Sequence, residues 1–175
     1  MKVSVVPPDL RWPEAFAREA AEIRAAAGCA VLDVHHIGST AICGIYAKPV
    51  IDILLVVDRH TNLDARSAAM AALGYEVMGE FGIPGRRYFR KNSAEGLRTH
   101  QVHAFEAGSP HLFRHLAFRD YMNAHAEAAQ AYSRLKQNLA AAFPHDIEAY
   151  MDGKDPFIQE HEAQALKWAK EDGMR

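Results

Sequence analysis

The chain has 175 residues, with 20 Lys and Arg against 22 Asp and Glu, ten histidines and two cysteines. A composition of 49% hydrophobic and 24% charged residues is typical of a globular protein and excludes disordered, collagenous and coiled-coil classes. This length favours a single domain over residues 1–175. The formal net charge of −2 argues against general nucleic-acid binding but permits a local phosphate site.

Two further features bear on where the protein works. Cys29 and Cys43 are too few to form a disulfide framework for a chain of this size. The first residues lack the apolar core of a signal peptide, and no apolar run approaches the ~20 residues needed to span a bilayer. We therefore expect a cytoplasmic protein that does not contact membranes, and the oligomeric state stays open.

Helical and strand patterns alternate early in the chain and give way to helices alone. The early elements are predicted as a helix over 13–27, strands over 30–37 and 50–57, a helix over 62–73, and strands over 75–78, 86–90 and 98–105. The later ones are predicted as helices over 110–125, 127–142, 145–151 and 156–171, the last two separated at Asp152-Gly153. This order predicts an α+β (mixed α/β) domain with a central mixed β-sheet, flanking helices and a helical C-terminal layer.

The most informative stretch is a strand that ends in Gly38-Ser39 and is followed by a second strand containing Asp52. Backbone N–H groups of a tight Gly-Ser turn can face an anion. A carboxylate on the next strand can hold a metal that bridges to the same phosphate, and Lys48 adds a positive charge beside it. An acid in an apolar strand is costly unless it is paired or metal-bound, which favours a function for Asp52 over a plain turn and strand cap.

Several motifs resemble the signature of the GrpB family: His36-Ile37-Gly38-Ser39-Thr40, Gly44, Ala47-Lys48-Pro49, Ile51-Asp52-Ile53, Arg114-His115-Leu116, Phe118-Arg119-Asp120-Tyr121 and Tyr132 with Leu135-Lys136. The resemblance implies a nucleotidyltransferase-like fold. It also implies binding of a nucleoside triphosphate or other phosphorylated small molecule with a divalent metal, and transfer of a nucleotidyl group to an unknown acceptor. Asp52, Ser39 and His103 are then the catalytic candidates.

One departure from the nucleotidyltransferase pattern leaves alternatives open. That pattern places two acids one residue apart on a strand, where they share a face and clamp a metal, but Leu54 stands at the second position. His103 is a candidate to complete the site. A pair of Asp52 and His103, with His36 as a further candidate, suits Zn or Mn better than Mg. The alternatives are a non-catalytic nucleotide- or phosphate-binding accessory module and a metal-dependent phosphohydrolase.

Basic side chains are the other candidates for contact with phosphate. Arginine forks match phosphate oxygens, and lysine supplies a point charge. With Gly38 and Ser39, the predicted phosphate contacts are His36, Lys48, Arg87, Lys91, Arg114, His115, Arg119 and Lys136. For each of them the alternative is an ordinary solvated charge on a helix or an edge strand.

Overall fold

The computed structural model describes residues 2–172, which form two compact units. The sheet unit comprises Leu10–Gly38 and Val50–Leu112. The helical unit comprises the residues up to Asp9, the segment Ser39–Pro49 and the chain from Phe113 onward. The prediction of one domain over 1–175 stays a prediction, and its positions 1 and 173–175 lie outside the described residues. No helix within residues 2–172 is long and apolar enough to cross a membrane.

The sheet unit contains a five-stranded mixed sheet in the order β1-β2-β5-β4-β3. Its strands are β1 (Val31–Ile37), β2 (Ile51–Val57), β3 (Glu76–Val77), β4 (Arg87–Asn92) and β5 (Arg98–Glu106). The β2–β5 pair is parallel and the other pairs are antiparallel. The interior strand β2 is buried along most of its length, as its nearly continuous run of β-branched residues and leucines predicts.

Three helices accompany this sheet: α1 (Trp12–Ala27), α2 (His60–Asp64) and α3 (Ser67–Ala72). α1 has proline at its second position and acid in its first turn, which explains why its start could be predicted. Its apolar side buries Ile23 and Ala27 completely. The single helix predicted over 62–73 is wrong, since two short helices separated by Ala65 and Arg66 occupy that region.

The helical unit contains most of α4 (Pro110–Ala124), all of α5 (Ala126–Ala142) and all of α6 (Ile147–Glu171). The predicted break between 151 and 156 is wrong, because α6 runs through Pro156 without interruption. The Asp146 carboxylate accepts a hydrogen bond from the Ala149 amide and caps the helix. Gly153 lies so close to Leu139 of α5 that a side chain there would overlap it, so close packing of the two helices supports the continuous helix.

The mixed sheet with its separate run of C-terminal helices confirms the predicted α+β class. The core of the sheet unit includes Ile53, Leu54, Leu55 and Phe105, none of which has exposed surface. A core cluster of the helical unit joins Ile42, Ile45, Met122, Ala129 and Tyr132. Three chain segments thus contribute to the helical unit, although they are far apart in sequence.

Candidate functional site

Gly38 and Asp52 are in close contact at one end of the sheet. Ile37, the last residue of β1, pairs with Asp52 of β2, and Gly38 follows with φ of +73°. A Cβ atom at position 38 would lie 2.5 Å from Asp52 Oδ2 and 2.9 Å from Asp52 Cβ. Glycine is therefore required here both by the left-handed backbone and by the proximity of the carboxylate.

His103 lies beside Asp52 with a defined orientation. Its Nε2 is 3.6 Å from Asp52 Oδ1, and Arg86 Nη1 lies 3.4 Å from its Nδ1. A guanidinium can only donate, so Nδ1 is the acceptor and the ring proton sits on Nε2, facing the carboxylate. The structure thus brings together the predicted pair of Asp52 and His103 and adds Arg86, a residue that the sequence analysis left without a role.

Arg86 is a buried arginine whose side chain fixes the loop before β4. Its Nη2 donates to the Phe81 carbonyl at 2.7 Å and its Nε donates to the Glu80 carbonyl at 3.1 Å. The guanidinium carbon lies 4.9 Å from the centre of the Tyr88 ring. Only 7% of Arg86 is exposed, so the guanidinium depends on these carbonyls to replace the water it loses on burial.

Phe81 has an unusual conformation within this loop. Its φ of +47° lies in the left-handed region, at a cost of about 1–2 kcal/mol for a residue with a side chain. The ring nevertheless stacks on Tyr88, with centroids 5.3 Å apart and planes 20° apart. An aromatic pair contributes about 0.5–1.5 kcal/mol, which at most offsets the backbone strain. The sequence analysis missed Phe81, since no local pattern marks a phenylalanine with positive φ.

Tyr88 joins this loop to the sheet. Its hydroxyl donates to Gln101 Oε1 at 2.9 Å and accepts from Arg98 Nη1 at 3.2 Å. Burial raises the pKa of the phenol, and the nearby Asp52 carboxylate acts in the same direction. Tyr88 therefore stays protonated and acts here as a hydrogen-bonding group rather than as a base.

The side chains around Asp52 do not fit a resident divalent metal. No group of three or more His, Cys, Asp or Glu side chains within residues 2–172 could hold a metal ion. Leu54, at the position of the second acid, has no exposed surface. The imidazole of His103 directs its lone pair at Arg86 and its proton at Asp52. One carboxylate remains, which is fewer ligands than a cation held by protein side chains alone requires.

The structure places three of the predicted site residues on the opposite side of the sheet. His36 pairs with Ile53, one residue out of step with Asp52, and its ring stacks on Phe16 of α1 at 4.8 Å. In β4, Tyr88 pairs with His103 of β5. Arg87 and Lys91 lie an odd number of residues from Tyr88, so they lie on the sheet face opposite to His103. The expected grouping of His36 with Asp52 and His103 is therefore wrong.

Arg87 and Lys91 are both engaged with carboxylates. Arg87 donates two hydrogen bonds to Asp64, at 2.7 and 3.0 Å, and these bonds lower the pKa of Asp64. Lys91 pairs with Glu19 of α1, which also accepts from the Tyr75 hydroxyl at 2.7 Å. Burial raises the pKa of Glu19, but these partners outweigh it and hold the pKa below its ordinary value. The phosphate contacts predicted for Arg87 and Lys91 stay predictions.

The other predicted site residues belong to the helical unit. Ser39 begins a 3-10 turn over Ser39–Ala41. Lys48 is half-buried further along the segment Ser39–Pro49. Arg114 Nη1 lies 3.2 Å from Glu162 Oε2, and its Nη2 lies 3.4 Å from His115 Nε2. Arg119 Nε lies 2.8 Å from Asp120 Oδ1. Both arginines of α4 thus already have a carboxylate partner, so a phosphate would have to share or replace it.

Lys136 of α5 differs from all of these cations. It is 1% exposed, and its Nζ finds no hydrogen-bond partner in the described part of the chain. The ammonium lies 4.3 Å from the centre of the Tyr132 ring. Burial lowers the pKa of Lys136 to about 7, and the positive charge of Lys154 acts in the same direction. The sequence predicts Lys136 as a phosphate contact, which stays a prediction, and gives no sign that the side chain would be buried.

The fold and these sites define an α+β protein with a glycine packed on a strand carboxylate and a buried lysine in its helical unit. Residues 2–164 match the family model described as GrpB protein, so the chain belongs to the GrpB family. It is 41% identical over 169 residues to UPF0157 protein YqkA of Bacillus subtilis strain 168. The alignment covers 97% of this chain but 49% of that relative, so the chain spans about half the relative's length.

Two solved structures show where similarity is strong and where it is weak. The crystal structure of the conserved protein GrpB from Enterococcus faecalis matches with a TM-score of 0.89 and 40% identity, over 94% of this chain and 98% of that one. The Cid1 poly(U) polymerase bound to MgATP matches with a TM-score of 0.48 and 13% identity, over 78% of this chain and 45% of that one. The second similarity is too low to support an inference about activity.

Proposed function

We propose that this chain binds a nucleoside triphosphate or other phosphorylated small molecule, as a non-catalytic module rather than as a metal-dependent transferase. The observation that carries the proposal is the Lys136 ammonium, which is buried and has no hydrogen-bond partner among the described residues. A buried charge is costly unless it is paired and hydrogen-bonded. An anion is the chemical complement that such a group requires.

The surroundings of Lys136 favour a strongly charged anion. Lys154 is close enough to disfavour the protonated form of Lys136, so two ammonium groups act on the same region. Lys136 faces the Tyr132 ring, and Lys154 lies 4.7 Å from the centre of the Tyr150 ring. A polyphosphate carries several negative charges and many acceptor oxygens, which compensates two such cations better than a carboxylate does.

The transfer reaction has less support than binding. Nucleotidyl transfer needs metal ions that neutralise the phosphate charge and orient the attacking hydroxyl. Leu54 is a core residue where the second acid would stand, and one of the two ring nitrogens of His103, Nδ1, lies against Arg86. A phosphohydrolase built on the histidines would face the same lack of ligands. The phosphate contacts predicted for Gly38 and Ser39 stay predictions.

Calorimetric titration with inorganic tripolyphosphate, without metal, tests this proposal. Lys136→Met keeps the length of the side chain and removes the buried charge, so it should abolish binding and raise the melting temperature of the free protein. Lys167→Met is the control, since Lys167 is 79% exposed on α6 and should change neither quantity. Wild-type protein that binds neither tripolyphosphate nor ATP, or a Lys136→Met variant that binds as well as wild type, contradicts the proposal.

A further inference from the structure

The loop before β4 presents an aromatic ring to solvent in a fixed orientation. Phe81 is 54% exposed, yet one face of its ring stacks on Tyr88. Tyr88 is only 5% exposed and is held by Gln101 and Arg98. We call Phe81 and its support Tyr88 the aromatic platform. Its buried layer is immobilised by the sheet, and its outer layer leaves a large part of a phenyl ring uncovered.

Several contacts hold this platform rigid. Arg86 donates to the carbonyls of Glu80 and Phe81, and the Glu80 carboxylate accepts from the Gly85 amide at 3.2 Å. Phe81 has a left-handed backbone, a conformation that Gly79 and Gly82 adopt in the same loop without the strain of a side chain. A structural turn alone would favour glycine at this position. The presence of a ring there, despite the strain, indicates that the ring itself is used.

The charges around the platform indicate the class of ligand. The Arg90 guanidinium lies over the Phe81 ring, 5.8 Å from its centre, and donates two hydrogen bonds to Glu76, which leaves Nη1 for a ligand. Arg98 reaches the Tyr88 hydroxyl. Aromatic faces bordered by arginines are the usual means of binding nucleobases, because bases stack on the ring while guanidinium groups donate to ring nitrogens and carbonyls. An apolar protein segment would instead require an uncharged border, which the arginines do not provide.

We propose that the aromatic platform binds a nucleobase by stacking on the exposed face of Phe81. This inference goes beyond the proposed function, since it concerns the base and rests on residues of the sheet unit alone. It requires neither Lys136 nor a phosphate group. A nucleoside without phosphate is therefore the ligand that tests it.

The experiment is a titration of the whole chain with adenosine and uridine, followed by NMR shifts of the protein. Phe81→Leu keeps an apolar side chain and the same backbone strain but removes the aromatic face. Loss of one stacked base weakens binding by roughly five- to a hundredfold. Phe81→Trp should retain affinity, and its added fluorescence should be quenched by the nucleoside. Leu97→Ala removes another exposed apolar side chain, which is 56% exposed, and should bind like wild type.

Three results would overturn the inference. The first is no shift of wild-type resonances up to about 10 mM of either nucleoside, which sets a limit on any useful affinity. The second is equal affinity in wild type and Phe81→Leu. The third is self-association of wild type that Phe81→Leu removes, which would assign the ring to contact between copies of the chain. Tripolyphosphate binding that depends on Lys136 would survive each of these results, so the two proposals can fail separately.

Discussion

Substitution of Gly38 by alanine tests the geometry at Asp52 most sharply. Any residue with a Cβ pays about 1–2 kcal/mol for the left-handed backbone at φ +73°. The new Cβ would also lie 2.5 Å from Asp52 Oδ2 and 2.9 Å from Asp52 Cβ. The carboxylate can rotate away, but Asp52 Cβ is fixed by β2, so the backbone must shift. Overpacking of this kind costs typically 1–3 kcal/mol, and we expect a total near 3 kcal/mol.

Gly96→Ala is the matched control for this prediction. Gly96 also has positive φ, at +79°, but a Cβ there would meet nothing within 4 Å. It should therefore lose only the backbone contribution, about 1–2 kcal/mol. Urea denaturation measures both variants, and for a chain of this size 3 kcal/mol lowers the melting temperature by roughly 6–12 °C. Equal destabilisation of Gly38→Ala and Gly96→Ala would show that Asp52 does not crowd position 38.

Three further predictions follow from buried charges and from the core. Lys136 has a folded-state pKa of about 7 against an ordinary value of 10.5, so the unfolded chain binds more protons between these values and stability should rise with pH in that window. That rise should vanish in Lys136→Met when unfolding is measured across pH 7–10. Leu54→Asp should lower the free energy of unfolding by more than about 4 kcal/mol, because residue 54 is fully buried. A folded variant that gains Mn²⁺ affinity in calorimetry would contradict this expectation. Glu19→Ala should lower the free energy of unfolding by about 3 kcal/mol, because it removes the carboxylate partner of Lys91, whose side chain is only 16% exposed. Glu14→Ala removes a carboxylate that is 72% exposed and should leave the free energy of unfolding almost unchanged in the same urea assay.

Elements with strong local signals could be predicted from the sequence. Proline near the start of α1 and glycine after its end mark a helix whatever it packs against. The β-branched run of β2 likewise predicts a covered central strand. The continuity of α6 through Asp152-Gly153 and Pro156 could not be predicted, because all three residues are local signals of a helix end, and the packing of Gly153 against Leu139 involves a residue distant in sequence. Tertiary packing outweighed the local breaking signal there.

The candidate site was predictable where strand order alone decided it. Gly38 and Asp52 had to approach each other once two consecutive strands paired, and the structure bears this out. His36 was grouped with Asp52 wrongly, because a shift of one residue in register moves a side chain to the other face of the sheet. Burial of Lys136 and the conformation of Phe81 depend on contacts that no local pattern encodes.

The central claim is that the buried ammonium of Lys136 serves to bind a phosphorylated ligand. Its most direct test is titration with metal-free ATP by calorimetry at pH 8 and pH 10, because the terminal phosphate of ATP is ionised at both values while the buried Lys136 ammonium is harder to form at the higher pH. We expect tighter binding at pH 8, with uptake of a proton, and no binding by Lys136→Met at either pH. Affinity that is the same at both values, or that survives in Lys136→Met, would contradict it.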